Sequence, residues 1–185
     1  MVVVIHAHPY PRRSRACAAL VQAIQKLPDL EVRSIYDLYP DLDLDAAAEQ
    51  KALQRARLIV WLHPLYWYSV PALMKLWMER VLARGWAYGD GGTALHGKDC
   101  LWVTTSGGDE QAYSPEGRHH RAFAEFAAPV EQTARYCGMR WLEPFAVHGT
   151  HILNDEELRA KAHALRARIL EWRAKKADAT RAGRR

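Results

Sequence analysis

Apolar residues along the chain gather into five short runs, and between them apolar positions recur at the three-to-four spacing of a helix. Residues 58–62 form a continuous apolar run that predicts a buried strand; residues 1–8 predict a buried strand and residues 99–105 a fourth, each largely apolar. Residues 31–38 predict a strand, with Val32, Ile35 and Leu38 apolar. Residues 141–148 predict the fifth. Residues 14–26 have the pattern of an amphipathic helix whose inner face is Ala16, Leu20, Ala23, Ile24 and Leu27. Further helices are predicted over 46–56, from Pro71 in a first helical turn to about 84, and over 119–136. Asn154 suits the cap of a last helix running to about 175, with Glu156 and Glu157 in its first turn favouring the helix dipole. Five strands alternating with helices predict one α/β domain over residues 1–175, built on a doubly wound parallel sheet with helices on both faces.

Composition narrows the class. Apolar residues make up 49% of the 185 positions and charged residues 25%, a globular balance. The formal charge is +5, and much of it lies in Arg173, Lys175, Lys176, Arg181, Arg184 and Arg185. Residues 176–185 therefore read as a basic, frayed tail rather than a nucleic-acid surface, because no reading motif accompanies them. The three cysteines are far apart, no CxxC occurs and no secretory pattern precedes the first strand, which predicts a cytoplasmic protein. No apolar run approaches the ~20 residues of a membrane helix, so membrane association would have to come through a partner.

Candidate chemistry lies where strands end. His63-Pro64-Leu65-Tyr66-Trp67-Tyr68-Ser69-Val70-Pro71 follows the third strand and holds three aromatics between two prolines. Open α/β sheets bind ligands at the carboxyl ends of their strands, and this loop suits a flat conjugated ring; a hydrophobic plug is the alternative. The first strand runs into His8-Pro9-Tyr10-Pro11-Arg12-Arg13-Ser14-Arg15 just before a helix, a turn that favours an anion through free N–H groups and the dipole. An ordinary loop with exposed arginines is the alternative there. After the fourth strand, Thr105-Ser106-Gly107-Gly108 lets backbone approach a ligand closely. Tyr113 and His119 follow, a phenol and an imidazole able to stabilise developing charge or deliver a proton. His148 and His151 have ligand-like spacing but lack a completing cluster, so no metal site is predicted. Asp41, Asp43 and Asp45 lack the glycine and distal glutamate of a calcium loop and read as surface or partner contact.

The run HPLYWYSVPALMKLWMERVL with GWAYG after it, His6-Ala7-His8-Pro9, YPDLDLDAAAEQ and DGGTALHGK resembles the flavodoxin-like NAD(P)H:quinone oxidoreductases. Within them the chain is most similar to the ancillary quinone reductases of glutathione-regulated (Kef-type) potassium-efflux systems. The resemblance implies a three-layer sandwich with sheet order 2-1-3-4-5, FMN as cofactor with FAD possible, and NAD(P)H as electron donor to a quinone. It implies that His8, Ser14, Arg15, Ala16 and Cys17 hold the flavin phosphate, although relatives commonly carry Asn where Cys17 stands. By the same resemblance Leu65, Tyr66, Trp67, Tyr68, Thr105, Ser106, Gly107 and Gly108 bind the flavin ring. Tyr113 and His119 match the spacing of a catalytic pair in the mammalian quinone reductases. The resemblance further implies a homodimer, whose interface Trp67, Tyr68, Trp77 and Trp86 would enrich, and a membrane potassium–proton antiporter as partner. A regulatory subunit with incidental redox activity is the rival; a one-electron carrier is disfavoured because such carriers are typically strongly acidic.

Overall fold

The computed structural model describes residues 1–182. Strands β1 (Val2–His6), β2 (Leu30–Ser34), β3 (Leu58–Pro64), β4 (Asp99–Thr105), β5 (Arg140–Trp141) and β6 (Phe145–Val147) make one parallel sheet. Its order is β2-β1-β3-β4-β5, with β6 also pairing β4. Helices α1 (Arg15–Ile24), α2 (Ile35–Leu38), α3 (Ala46–Arg55), α4 (Ala72–Val81), α5 (Phe123–Tyr136) and α6 (Asp155–Ala182) alternate with the strands. Every residue of β1, β3 and β4 is buried. Side chains alternate between sheet faces, so the same strands feed two cores. Val2, Val4, Val60 and Val103 pack on Leu20 and Ile24 of α1 and Leu165 and Ile169 of α6. Val3, Ile5, Trp61 and Trp102 pack on Leu53, Met74, Trp77 and Val130 of α3, α4 and α5. This is the expected three-layer flavodoxin-like sandwich.

Several boundaries differ from the reading of periodicity. The second strand stops at Ser34, and Ile35–Leu38 turn into α2. Val32 and Ile35 are three apart, a spacing that puts them on opposite faces of a strand. The expected fifth strand splits into β5 and β6 because Pro144, which has no N–H for the ladder, stands between them. Helix α5 starts at Phe123, leaving His119 in the loop before it. It ends in the hydrogen bonds of a Schellman motif, Gly138 N–H to the Arg135 carbonyl and Met139 N–H to the Ala134 carbonyl. Gly138 takes φ +74, and a Cβ there would also strike His96.

The expected frayed tail is helical as far as residue 182; Arg184 and Arg185 lie outside the described residues. Lys176 within it, and Arg166 and Arg173 before it, have partners. Asp99, buried at the start of β4, accepts from Arg140 Nε (2.8 Å), Trp172 Nε1 (2.7 Å) and Lys176 Nζ (2.8 Å). Burial alone would raise the Asp99 carboxyl; those three donors hold it below its ordinary value. Arg166 and Arg173 donate to the Ala23 and Pro28 carbonyls at the far end of α1. Trp77 is core rather than interface, being fully buried. Asp45 caps α3 by accepting the Ala48 N–H, and Asp41 accepts the Asp43 N–H, so two of the three aspartates shape a turn.

The least expected core group is Glu49 on α3, which is completely buried. Its Oε1 accepts from Arg33 Nε (2.8 Å) and Nη2 (2.5 Å) and from the Tyr39 hydroxyl (2.7 Å), and its Oε2 from Trp77 Nε1 (2.9 Å). Burial and this carboxylate together push the Tyr39 phenol up to about 12. One carboxylate thus ties β2, the segment after α2, α3 and α4 together. Removing one member of a buried ion pair leaves the other charge uncompensated, at ~3–5 kcal/mol. Glu49→Ala is expected to destabilise by about that much, read as a lower urea midpoint with an unchanged m-value. A loss below ~1 kcal/mol would mean that Arg33 finds water instead.

Candidate active site

The β1–α1 connection is a short 3-10 turn, Pro11–Arg13, ending at Ser14. Ser14 caps α1: its Oγ accepts the Cys17 N–H at 3.1 Å. The N–H groups of Arg15 and Ala16, in the first helical turn, have no intrahelical carbonyl to reach and face the strand-end edge with the positive end of the dipole. The Tyr10 N–H donates to His8 Nδ1 at 3.0 Å, so the proton of the neutral ring is on Nε2, which becomes a donor. Burial holds the His8 imidazole below its ordinary value. Two of the expected phosphate ligands fall differently. The Arg15 guanidinium is engaged by Asp155 Oδ1 (2.9 Å) and the Leu153 carbonyl (2.6 Å), so Arg15 offers its backbone rather than its charge. Cys17 is fully buried; its Sγ meets Thr105 Oγ1 at 3.4 Å, and its N–H is already taken. An apolar-sized thiol at this helix position packs into the core beneath the loop, and burial raises its pKa.

After β3 the chain makes a two-residue turn. Tyr66 and Ser69 exchange N–H···O bonds of 3.1 and 3.0 Å, and Trp67 and Tyr68 between them take φ +49 and +64. Non-glycine residues pay ~1–2 kcal/mol each for such backbone. Strain of this kind concentrates at ligand-binding turns. The geometry leaves the Trp67 and Tyr68 N–H groups outside the turn's own bonding. Trp67 is 92% exposed, so nothing in the chain covers the ring. Tyr68 stacks on Phe126 and meets His119 edge-on at 5.3 Å, while Tyr66 meets His8 edge-on at 6.0 Å.

After β4, the Ser106 hydroxyl donates to the Gly108 carbonyl (2.9 Å), so its oxygen is left to accept from His148 Nδ1 (2.8 Å). His148 is therefore an Nδ1–H imidazole, held neutral chiefly by burial. A Cβ at Gly107 would lie 2.7 Å from His151 Nε2, so that ring would have to move, and one at Gly108 would lie 3.2–3.3 Å from Tyr113, Ala112 and His119, a tight fit. Rings run from the loop across the site: His119 to Tyr113 at 4.6 Å, and Tyr113 to His148 at 5.0 Å.

His8, Ser14, Arg15, Ala16, Leu65, Tyr66, Thr105, Ser106 and Gly107 line one cleft of about 370 Å³, together with Tyr10, Arg13, Thr150 and His151. Among the described residues no carboxylate lines it. Tyr113 instead faces a neighbouring cleft of about 880 Å³ with His148, Phe123 and Trp141. The arrangement suits an anion at the α1 start joined to a flat group over the glycines. His148 and His151 had no role assigned from the sequence; the signal that finds them is their place just after β6, at the edge where the other loops emerge. Among the described residues no group of three His, Cys, Asp or Glu could hold a metal ion.

Loops from the carboxyl ends of β1, β3, β4 and β6 meeting above a parallel sheet of this order define a doubly wound α/β protein with a strand-end ligand cleft. The chain belongs to the family of the flavodoxin-like fold, whose model matches residues 1–171. It is 51% identical over 172 residues to the glutathione-regulated potassium-efflux system ancillary protein KefF of Salmonella typhi, across 93% of this chain and 97% of that one. Among solved structures it is similar to general stress protein 14 of Treponema denticola in complex with FMN, at 33% identity and TM-score 0.86, covering 90% of this chain and 95% of that one. An NADPH-quinone reductase of P. pentosaceus superposes with TM-score 0.82 at 28% identity, covering 90% and 95%. So does a chain named as a thermophilic tryptophan halogenase from Streptomycin violaceusniger, with TM-score 0.88 at 34% identity, covering 92% and 98%. Such different names on one fold mean that the reaction has to be argued from the site.

Two histidines at the strand ends are structural. His63 Nδ1 bonds the Pro64 carbonyl (3.0 Å), and its Nε2 accepts from Trp102 Nε1 (2.8 Å). His6 Nδ1 meets Ser34 Oγ at 3.0 Å. Burial lowers each from 6.5 to about 4. The unfolded chain therefore binds protons that the folded one refuses. Stability is fully present above pH 6.5 and falls as pH drops from 6.5 towards 4, by up to ~1.4 kcal/mol per pH unit for each histidine. His63→Gln, which keeps a donor and an acceptor, is expected to make the slope of unfolding free energy between pH 6.5 and 4.5 shallower. An unchanged slope would mean that His63 charges within the fold.

Proposed function

We propose that this chain is an FMN-dependent NAD(P)H:quinone oxidoreductase working by two-electron ping-pong transfer, and that it also serves as an ancillary activator of a glutathione-regulated potassium-efflux antiporter. The observation that carries the redox reading is the convergence of unpartnered donors on a cleft lined by no carboxylate. The likeness to an FMN-bound protein and to an NADPH-quinone reductase supports it. The antiporter role is supported by the 51% identity to a protein named as the ancillary component of such a system.

The residues present fit FMN. The N–H groups of Arg15 and Ala16, the Ser14 hydroxyl and His8 Nε2–H would hold its phosphate. Gly107 and Gly108 would lie under the ring, and the Trp67 and Tyr68 N–H groups would bond the ring's polar edge and favour negative charge there. Bound FMN supplies a centre that takes hydride from NAD(P)H and gives it to a quinone, which also takes up one proton to become the hydroquinone. Tyr113 and His119 lie ring against ring beside Gly108, and neither the phenol nor the imidazole is hydrogen-bonded to a described side chain. They are thus available to stabilise charge as hydride arrives and to protonate a quinone oxygen.

The purified protein is expected to be yellow with about one FMN per chain and to bleach anaerobically on adding NADPH or NADH. Tyr113→Phe and His119→Gln are each expected to slow flavin reduction or quinone turnover ~10- to 100-fold while flavin stays bound. A protein that binds neither FMN nor FAD would end the redox reading. Unchanged turnover in both variants would remove the pair from the chemistry.

The assembly we propose is a twofold dimer. Trp67, Tyr68 and Tyr136 are exposed beside a groove of about 560 Å³ between α4 and α5, lined by Met78, Leu82 and Val130. Exposed aromatics of this sort concentrate at the buried centres of interfaces. Light scattering is expected to give twice the 21.1 kDa chain mass at micromolar concentration, and a single-chain mass would contradict the dimer. Potassium efflux from cells carrying the cognate antiporter is expected to rise when this protein is co-expressed. Full activation by the Tyr113→Phe/His119→Gln double variant would favour the regulatory role as the main one.

A further inference from the structure

The loop between β6 and α6 brings a group to the cleft that the reading above leaves without a task. His151 folds back over the glycine loop, and a Cβ built on Gly107 would lie 2.7 Å from His151 Nε2 and 2.8 Å from its Cδ2. The imidazole therefore rests against the Gly107 backbone, in the same cleft as His8, Arg13, Ser14 and Ala16. Its ring makes no hydrogen bond to any described residue.

Its neighbours are tied at both ends. The Thr150 N–H and hydroxyl both donate to the Ser106 carbonyl, at 3.0 and 3.1 Å. The Leu153 carbonyl accepts from Arg15 Nη2 at 2.6 Å. The chain thus passes from the glycine loop to the α1 start, and His151 stands between the two. The first turn of α1 is poor in side-chain donors on its own, since Cys17 is buried against Thr105 and the Arg15 guanidinium is spent on Asp155. An anion held there by Ser14, His8 and two backbone N–H groups would have His151 within the same cleft, on the side of the glycine loop, with Arg13 among the other lining residues. An imidazole N–H is a good partner for a phosphate oxygen, and hydrogen bonds to charged groups are the stronger ones.

We propose that His151 is a cofactor-binding residue of this chain, its imidazole donating to the phosphate of the bound flavin nucleotide. This rests on the flavin reading given above. The test compares FMN with riboflavin, which carries the same ring and ribityl chain without phosphate. Apoprotein is titrated with each, following the quenching of flavin fluorescence, for the wild type, His151→Ala and His151→Gln. His151→Ala is expected to weaken FMN about tenfold or more and to leave riboflavin within about twofold. His151→Gln, which keeps an N–H donor, is expected to recover part of the loss and decides the matter should the alanine variant unfold. Unchanged FMN affinity in both variants overturns the proposal. An equal loss of FMN and riboflavin also overturns it, because the ring would then act on the isoalloxazine or on the loop. A wild-type apoprotein that binds neither flavin overturns the flavin reading itself, whatever the variants do.

Discussion

The pairing of Pro64 with Thr105 at the ends of β3 and β4 is carried one step further by the 2.7 Å bond from the Leu65 N–H to the Thr105 carbonyl. On one side Ala7 N–H bonds the Leu62 carbonyl, and on the other Ser106 N–H bonds that of Val147. Four strand ends are therefore level, and every loop that lines the cleft leaves the sheet along one line. A slip of one residue between β3 and β4 would turn the side chains of one strand to the other face and take Trp102 out of the core that it shares with Trp61. The site is a consequence of that register, and the register is held by strands buried on both faces.

On this base the loops are arranged by satisfying their own backbone first. The Tyr66–Ser69 exchange uses the inner groups of its turn and leaves the two middle N–H groups outward, with strain that the surrounding sheet bears. Ser14 consumes the Cys17 N–H and leaves the two before it. His8 and His148 each have one ring nitrogen engaged, by the Tyr10 N–H and by Ser106 Oγ, which settles where the remaining proton lies. What the cleft offers a ligand is the set of donors that folding did not use, aimed by the bonds that it did. Such preorganisation lowers the ordering cost of binding.

The sheet and its strand-end loops were legible because continuous apolar runs, proline and glycine are local signals. The alternation of strands and helices, the capping Asn154 and the aromatic turn all follow from neighbours in the chain. Other features depend on partners far away. Glu49 reads as a surface helix residue until Arg33, Tyr39 and Trp77, from three other segments, close around it. Lys176 reads as tail until Asp99 fixes it at the start of β4. Arg15 reads as a phosphate ligand until α6 presents Asp155. Cys17 occupies a position that the resemblance implies for the cofactor, yet its size and polarity send it into the core. His148 and His151 showed a ligand-like spacing with nothing to complete it, and only the arrival of β6 beside β4 brings His151 to the cleft and His148 to its neighbour.

The claim on which the account stands is that the loops after β1, β3 and β4 form one ligand site. Hydrogen–deuterium exchange of the apoprotein with and without FMN tests it most directly, because the free backbone N–H groups named above are themselves the reporters. The account predicts that saturation with FMN slows exchange together in the segments 14–17, 65–69 and 105–108, with smaller changes in the helices behind them. Protection confined to one loop, or falling on the groove between α4 and α5 instead, would contradict it.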